Sequence, residues 1–272
     1  MWEPKDSRVE CWRLYVRALP LSFLIIWLRK GQKARRILTV QGVFRPMVDQ
    51  EEGILHVAPE QVRLGETHLT RTRTWGQAGG LRWDLDLESV GPTVSPLPGG
   101  FLARLPWGFR WVSYPAVRFT GHLEWAEREW TGEGRGALHH CWGRTLPKEW
   151  LWAHAAGCSP PDGFAEVALA RVPLGPLPGP QVRLGYVWTQ GQGQERVYTQ
   201  WHSGLIHVLN DGERIRVDVT PWHGTGFSLY ARTGVRVWQK LGPHVHTTLV
   251  GDLRIPAGVE CPGQAVVEWR GE

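Results

Sequence analysis

Long apolar runs, paired cysteines and the usual catalytic signatures are scarce in this 272-residue chain. Its four cysteines, Cys11, Cys141, Cys158 and Cys261, form no Cys-x-x-Cys. The chain is also too long for a small disulfide scaffold, so reduced thiols in the cytoplasm are expected. The apolar stretch Ala18–Leu28 is interrupted by Pro20. Its eleven residues fall short of the roughly 20 that span a bilayer. It is a poor signal peptide too, because acids precede it and Leu28-Arg29-Lys30 follows without a small-residue cleavage site. There is no Gly-x-Ser-x-Gly elbow, and no helical pattern follows Gly191-Gln-Gly-Gln, which reads as a hairpin turn and not a phosphate cradle. His139, His140 and His154, or His244 and His246, could supply metal ligands. No carboxylate or thiol spacing completes a motif, so neither metal nor cofactor is expected.

Tryptophan is abundant, at 17 against 7 Phe and 5 Tyr. Indoles bury a large area and stabilise cations over their faces. So many of them imply either an aromatic core or an apolar cavity. Hydrophobic residues at 42% and charged residues at 21% describe an ordinary folded chain and exclude disorder. The net charge of +5 is concentrated at one end: residues 1–36 carry nine Lys/Arg against three acids, leaving the remainder at −1. Nucleic-acid binding is not expected, since it wants a basic stripe on the fold itself.

In residues 1–36 the apolar positions Trp12, Tyr15, Val16, Leu19, Phe23, Ile26 and Trp27 recur at three- and four-residue steps. This spacing predicts a basic amphipathic helix on either side of Pro20. Such a helix packs on its own protein or lies on an anionic membrane surface, here the inner face. Beyond residue 36 the period becomes two. Leu81, Trp83, Leu85 and Leu87 alternate with charged residues, as do Ile215, Val217 and Val219. Turn signals at Gly79-Gly80, Pro98-Gly99-Gly100, Pro178-Gly179-Pro180 and Asn210-Asp211-Gly212 separate short strands. The chain therefore reads as all-β, with Asp84, Asp86 and Glu88 on a solvated strand face. Residues 80–87 echo 212–219, and 121–125 echo 251–255, at offsets of nearly half the chain. A duplicated β domain follows, with domains at 37–132 and 133–272 meeting near Trp130–Arg135.

Residues 134–157 include His139-His140-Cys141-Trp142-Gly143, then Pro147, then Trp150-Leu-Trp152. This segment resembles the signature of the tocopherol cyclase family and the related carotenoid 1,2-hydratase and AttH-like proteins. That signature is an aromatic-Ala-Glu-Lys-Asn-Trp-Gly strand, Phe-Pro, and Trp-x-Trp on the next strand. The family's Glu-Lys-Asn falls on His139, His140 and Cys141. The resemblance implies two tandem lipocalin-like antiparallel β-barrels with an apolar pocket. It also implies isoprenoid-type substrates, with alkene protonation in the cyclases and hydratases.

On extended strands Trp150, Trp152 and His154 share one face; His140, Trp142 and Arg144 share another. A hairpin between the two strands would bring one His set beside the Trp150 face. His139, His140 and His154 are then candidate proton donors, because imidazole titrates near neutrality. Trp142, Arg144, Trp150 and Trp152 are candidate ligand contacts. Three functions remain open: a carrier of a hydrophobic, isoprenoid-like small molecule; a cofactor-independent cyclase or hydratase; and a structural β protein with a partner-binding surface. Asp218 and Glu268 are further acids that the sequence does not place.

Overall fold

The computed structural model describes residues 7–18, 21–42, 46–97, 108–158, 163–173, 181–191, 194–199, 205–210, 214–220, 227–232, 239–242, 245–255 and 259–270. The expected turns at 98–100, 178–180 and 211–212, and His244, lie outside them. The protein is all-β, and its described residues contain no helix. It divides into two compact units: Met1–Val94 with Trp111–Leu146, and Ser95–Arg110 with Pro147–Glu272.

The first unit is built on one antiparallel sheet. Its strands are β1 (Val9–Ala18), β2 (Leu21–Lys30), β3 (Lys33–Gln41), β4 (Met47–Gly53), β5 (His56–Ala58), β6 (Gln61–Leu64), β7 (Thr67–Thr70), β8 (Arg73–Ala78), β9 (Leu81–Ser89), β10 (Phe109–Trp125) and β11 (Arg128–Gly143). They pair in the order β4-β3-β2-β1-β11-β10-β9-β8-β7-β6-β5. Only Ile54 and Leu55 separate β4 from β5, the two outer strands. One sheet whose opposite edges are joined by two residues has to curl, and it forms a strongly curled half-barrel. The Gly79-Gly80 turn is a two-residue hairpin loop with φ of +53° and +78°. Both values suit a type I′ turn, which glycine enters without strain.

The expected N-terminal helix is replaced by β1 and β2. Pro20 falls between two strands that pair in register from Val9↔Lys30 to Ala18↔Leu21. The physical reason is burial on both faces. Trp12, Leu14 and Val16 enter the core while Cys11, Tyr15 and Arg17 are buried on the opposite face. A strand buried on both sides loses its polar alternation and mimics helical spacing. The described residues from Val9 to Arg36 therefore belong to the first unit's sheet and its turns and not to a separate segment. Likewise β11 runs unbroken through 132–133, pairing with β1 from Val9↔Gly143 to Arg17↔Arg135, and the first unit ends at Leu146.

Inside the curl, the indoles fill the space. Trp12, Trp27 and Trp83 belong to the core with Phe23, Leu38 and Phe119. Each buried indole contributes roughly 4–6 kcal/mol of gross transfer free energy. Two of their N–H groups are satisfied internally: Trp27 donates to Thr67 Oγ1 and Trp83 to Thr74 Oγ1, each at 3.0 Å.

The second unit repeats the plan. Its strands are β12 (Trp150–Cys158), β13 (Gly163–Pro173), β14 (Gln181–Gly191), β15 (Gln194–Thr199), β16 (Leu205–Asn210), β17 (Arg214–Thr220), β18 (Phe227–Arg232), β19 (Gln239–Gly242), β20 (Val245–Ile255) and β21 (Val259–Arg270). They pair as β15-β14-β13-β12-β21-β20-β18-β17-β16, with β19 on β20. As in the first unit, the first strand pairs with the last. The sequence echo of 121–125 with 251–255 joins equivalent strands, β10 and β20. The echo of 80–87 with 212–219 does not, because β9 lies next to β10 whereas β17 is separated from β20 by β18. The interior is small and aliphatic: Ala153, Ala155, Ala165, Val167, Val187 and Ile215.

Candidate active site

In the second unit the aromatic side chains of β12, β13 and β14 turn away from that aliphatic interior, whereas Trp269 packs against it. On β12, Leu151, Ala153 and Ala155 face the core, so Trp150, Trp152 and His154 share the other face. The register then assembles a site. His154 lies opposite Glu166 on β13, and Glu166 opposite Trp188 on β14. Trp152 lies opposite Ala168 on β13 and Glu268 on β21, while Ala168 lies opposite Tyr186. Trp152, His154, Glu166, Tyr186, Trp188 and Glu268 are all buried.

Glu166 is the centre of this group. One carboxylate oxygen accepts the Tyr186 hydroxyl, and the other accepts the Trp152 indole N–H at 3.3 Å. An isolated buried carboxylate costs several kcal/mol, so donors on both oxygens are what make it tolerable here. A carboxyl group placed among rings, next to an imidazole, can give or take a proton at a site from which bulk water is excluded. Phe164 and Trp188, centroids 6.4 Å apart, extend the aromatic lining along the same face. Trp152 and His154 lie 6.3 Å apart in near-parallel planes.

Trp150 sits at the margin and is half-buried. Its N–H donates to Glu268 Oε1 at 2.7 Å, and the Arg270 guanidinium lies 5.0 Å above its ring. Glu268, an acid the sequence left unplaced, is thus engaged at this edge. Asp218 is half-buried and ion-paired with Arg216 at 2.6 Å. A small open hollow of about 20 Å³ lies at the same end of the sheet, with Trp150, Leu151, Leu169, Val208 and Trp269 on its wall.

His139 and His140 belong to the first unit's sheet, and β11 pairs with β1 instead of forming a hairpin with β12. The two histidines point to opposite faces. His140 is fully buried at one end of the curl, where its Nε2 lies 2.9 Å from Glu10 Oε1. Glu10 also accepts from Arg29. The His140 ring stacks on Trp12 at 4.6 Å and lies 4.9 Å from Trp142. This is a packed ion cluster in the first unit. His139 takes the other face, with Nε2 3.2 Å from the buried Ser113 hydroxyl. Arg13, Tyr15 and Arg17 share that face. Burial pushes the Tyr15 hydroxyl up to about 12, against weaker pulls from Ser22 and Arg17. Burial also lowers Arg17, with Arg135 as a like-charged neighbour. Arg144 is exposed beyond the end of β11.

Trp150, Trp152 and His154 thus share one strand face, as their spacing predicts. Glu166, Tyr186 and Trp188 beside that face, and Glu10 and Arg29 around His140, were not among the candidates. One signal was available: Glu166 is the lone acid within the apolar run Gly163–Ala170. Among the described residues, no three His, Cys, Asp or Glu side chains lie together as metal ligands would. The side chain of His246 is outside what is described.

The fold is shared with solved structures of low sequence identity. A protein from Nitrosomonas europaea described as a putative AttH superposes with a TM-score of 0.65 over 98% of this chain and 93% of its own, at 14% identity. The fold is that of the AttH-like proteins. CghA crystallised with Sch210972 gives 0.63 over 97% and 88%, at 12% identity. Kievitone hydratase from Nectria haematococca gives 0.59 over 98% and 89%, at 9% identity. No family model matches the sequence, and no curated protein matches it. The resemblance seen at 134–157 is therefore matched at the level of the AttH-like fold across nearly the whole chain.

Proposed function

We propose that the protein binds a hydrophobic, isoprenoid-like small molecule against the aromatic face of β12, β13 and β14. Glu166, flanked by His154 and Tyr186, then exchanges a proton with it in a cofactor-independent hydration or cyclisation. The observation that carries this reading is the buried Glu166 carboxylate, held by Tyr186 and Trp152 among aromatic rings. It supplies the acid that the His139–Cys141 segment lacks. The AttH-like fold supports the reading because one protein that shares it is a hydratase and another was crystallised with a bound small molecule. In this scheme Glu166 acts in its protonated form: it gives its proton to the alkene, becomes the carboxylate that Tyr186 and Trp152 hold, and recovers a proton through His154 from the oxygen that captures the cation, while Trp152 and Trp188 face that cation. Any contact with a membrane surface would use the basic side chains of residues 1–36, since Trp12, Phe23 and Trp27 are in the core.

The test is a panel of retinoids, quinones and carotenoids read by tryptophan fluorescence, with products followed by mass spectrometry. Binding by at least one apolar compound is expected. Glu166→Gln should leave its affinity within a few-fold while lowering turnover by about 100-fold or more, the usual weight of general acid catalysis. Absence of quenching throughout the panel would remove the proposal.

A second reading is a carrier that binds without turnover. It is favoured by the replacement of the family's Glu-Lys-Asn by His139, His140 and Cys141. Binding by wild type with no product formed would select it.

A further inference from the structure

Cys11 and Cys141 lie directly opposite each other in the β1–β11 register. Both are buried, reduced cysteines. Directly opposed residues of an antiparallel pair have Cα atoms about 4.5 or 5.5 Å apart, depending on the hydrogen-bonding position. Either spacing falls within the roughly 4.4–6.8 Å that a disulfide spans. The two side chains also share a face, because direct register partners always do. The next residues on that face, Arg13 and His139, are themselves register partners.

We propose that Cys11 and Cys141 are a redox-active pair that closes to a cross-strand disulfide, independently of the chemistry at Glu166. The oxidant is a peroxide. One thiolate attacks the peroxide oxygen, giving a sulfenic acid and releasing hydroxide, which takes up a proton to leave as water. The second thiol displaces the sulfenic oxygen as another water while the S–S bond forms. In sum, two thiols and one hydrogen peroxide give one disulfide and two waters. The bond would tie β1 to a strand 130 residues further along the chain, in the row next to that of Trp12 and His140.

The test treats the full-length protein with stoichiometric hydrogen peroxide, denatures it, alkylates free thiols and maps the peptides by mass spectrometry. The expected product joins the Cys11 and Cys141 peptides with loss of two hydrogens, and Cys158→Ser/Cys261→Ser retains it. Oxidised wild type should also unfold at a temperature at least about 5 °C above reduced protein, reversibly with dithiothreitol. Cys11→Ser should abolish both effects. Should Cys11 and Cys141 stay alkylatable under conditions that consume other thiols, or link only to Cys158 or Cys261, the pair is not the redox site. The wild-type map decides this even if a variant fails to fold.

Discussion

Replacing Tyr15 by phenylalanine tests whether the second face of the first sheet is as dry as its burial implies. Tyr15 is fully buried, and its hydroxyl is raised to about 12 mainly by desolvation. An unfolded tyrosine ionises near 10. Between these values the unfolded chain has lost the proton and the folded one has kept it, so stability falls as pH rises through the window. The neutral group's contribution is complete below pH 10. With a two-unit separation, about 1.4 kcal/mol is lost by pH 11 and roughly 2.7 kcal/mol once both forms are ionised above pH 12. Other groups titrate in the same range, so the quantity to follow is the difference between wild type and Tyr15→Phe. Urea unfolding at pH 8, 9, 10 and 11 supplies it. The difference should be flat to pH 9 and then shift by about 1.4 kcal/mol in favour of the variant by pH 11. Absorbance at 295 nm should show one tyrosine fewer ionising late. A difference that stays constant to pH 11 would mean that Tyr15 titrates normally, and the desolvation argument would be wrong.

Glu10→Ala strands the fully buried His140 and frees Arg29 to turn toward water. It should cost about 3–5 kcal/mol, read as a lower urea midpoint at unchanged slope; a loss under 1 kcal/mol would refute the buried ion cluster. Gly121 has φ of +149°, and a Cβ there would collide with the Asp84 carbonyl across the β9–β10 pair. Gly121→Ala should therefore cost about 2 kcal/mol or more and raise amide exchange along β9 and β10. The Arg73 guanidinium, hydrogen-bonded at 2.8 and 2.6 Å, holds the Asp84 carboxyl below the usual carboxylate range. The small stabilisation this gives is present above the unfolded value and lost as pH falls through the folded one. In a carboxylate NMR titration the Asp84 midpoint should sit low and return upward in Arg73→Ala.

What the sequence revealed followed from solvent exposure. Strand β9 was legible because Leu81, Trp83, Leu85 and Leu87 face the core while Arg82, Asp84, Asp86 and Glu88 face water. Strands β1 and β2 were not, because both of their faces are buried and the alternation that marks a strand is erased. The same double burial hid the site. Glu166 lies on β13, where every residue from Gly163 to Ala170 is buried, and nothing local distinguishes its face from that of Val167. Its importance comes from Tyr186, twenty residues away, and from Trp152 on another strand. Trp150, Trp152 and His154 were found together because sharing a face is a property of one strand alone. Pairing His139 or His140 with them required knowing which strands are neighbours, and that is set by sheet topology.

The pairing of first strand with last has a consequence for biosynthesis. β1 is synthesised 125 residues before β11, its partner, is complete. At roughly 5–20 residues per second the nascent chain carries an unmatched, greasy ribbon for something on the order of ten seconds. Hairpins among β1, β2, β3 and β4 form early and leave the outer edge of β1 open throughout that delay. Translation speed and chaperone supply should therefore govern the yield of this protein more than its final stability does.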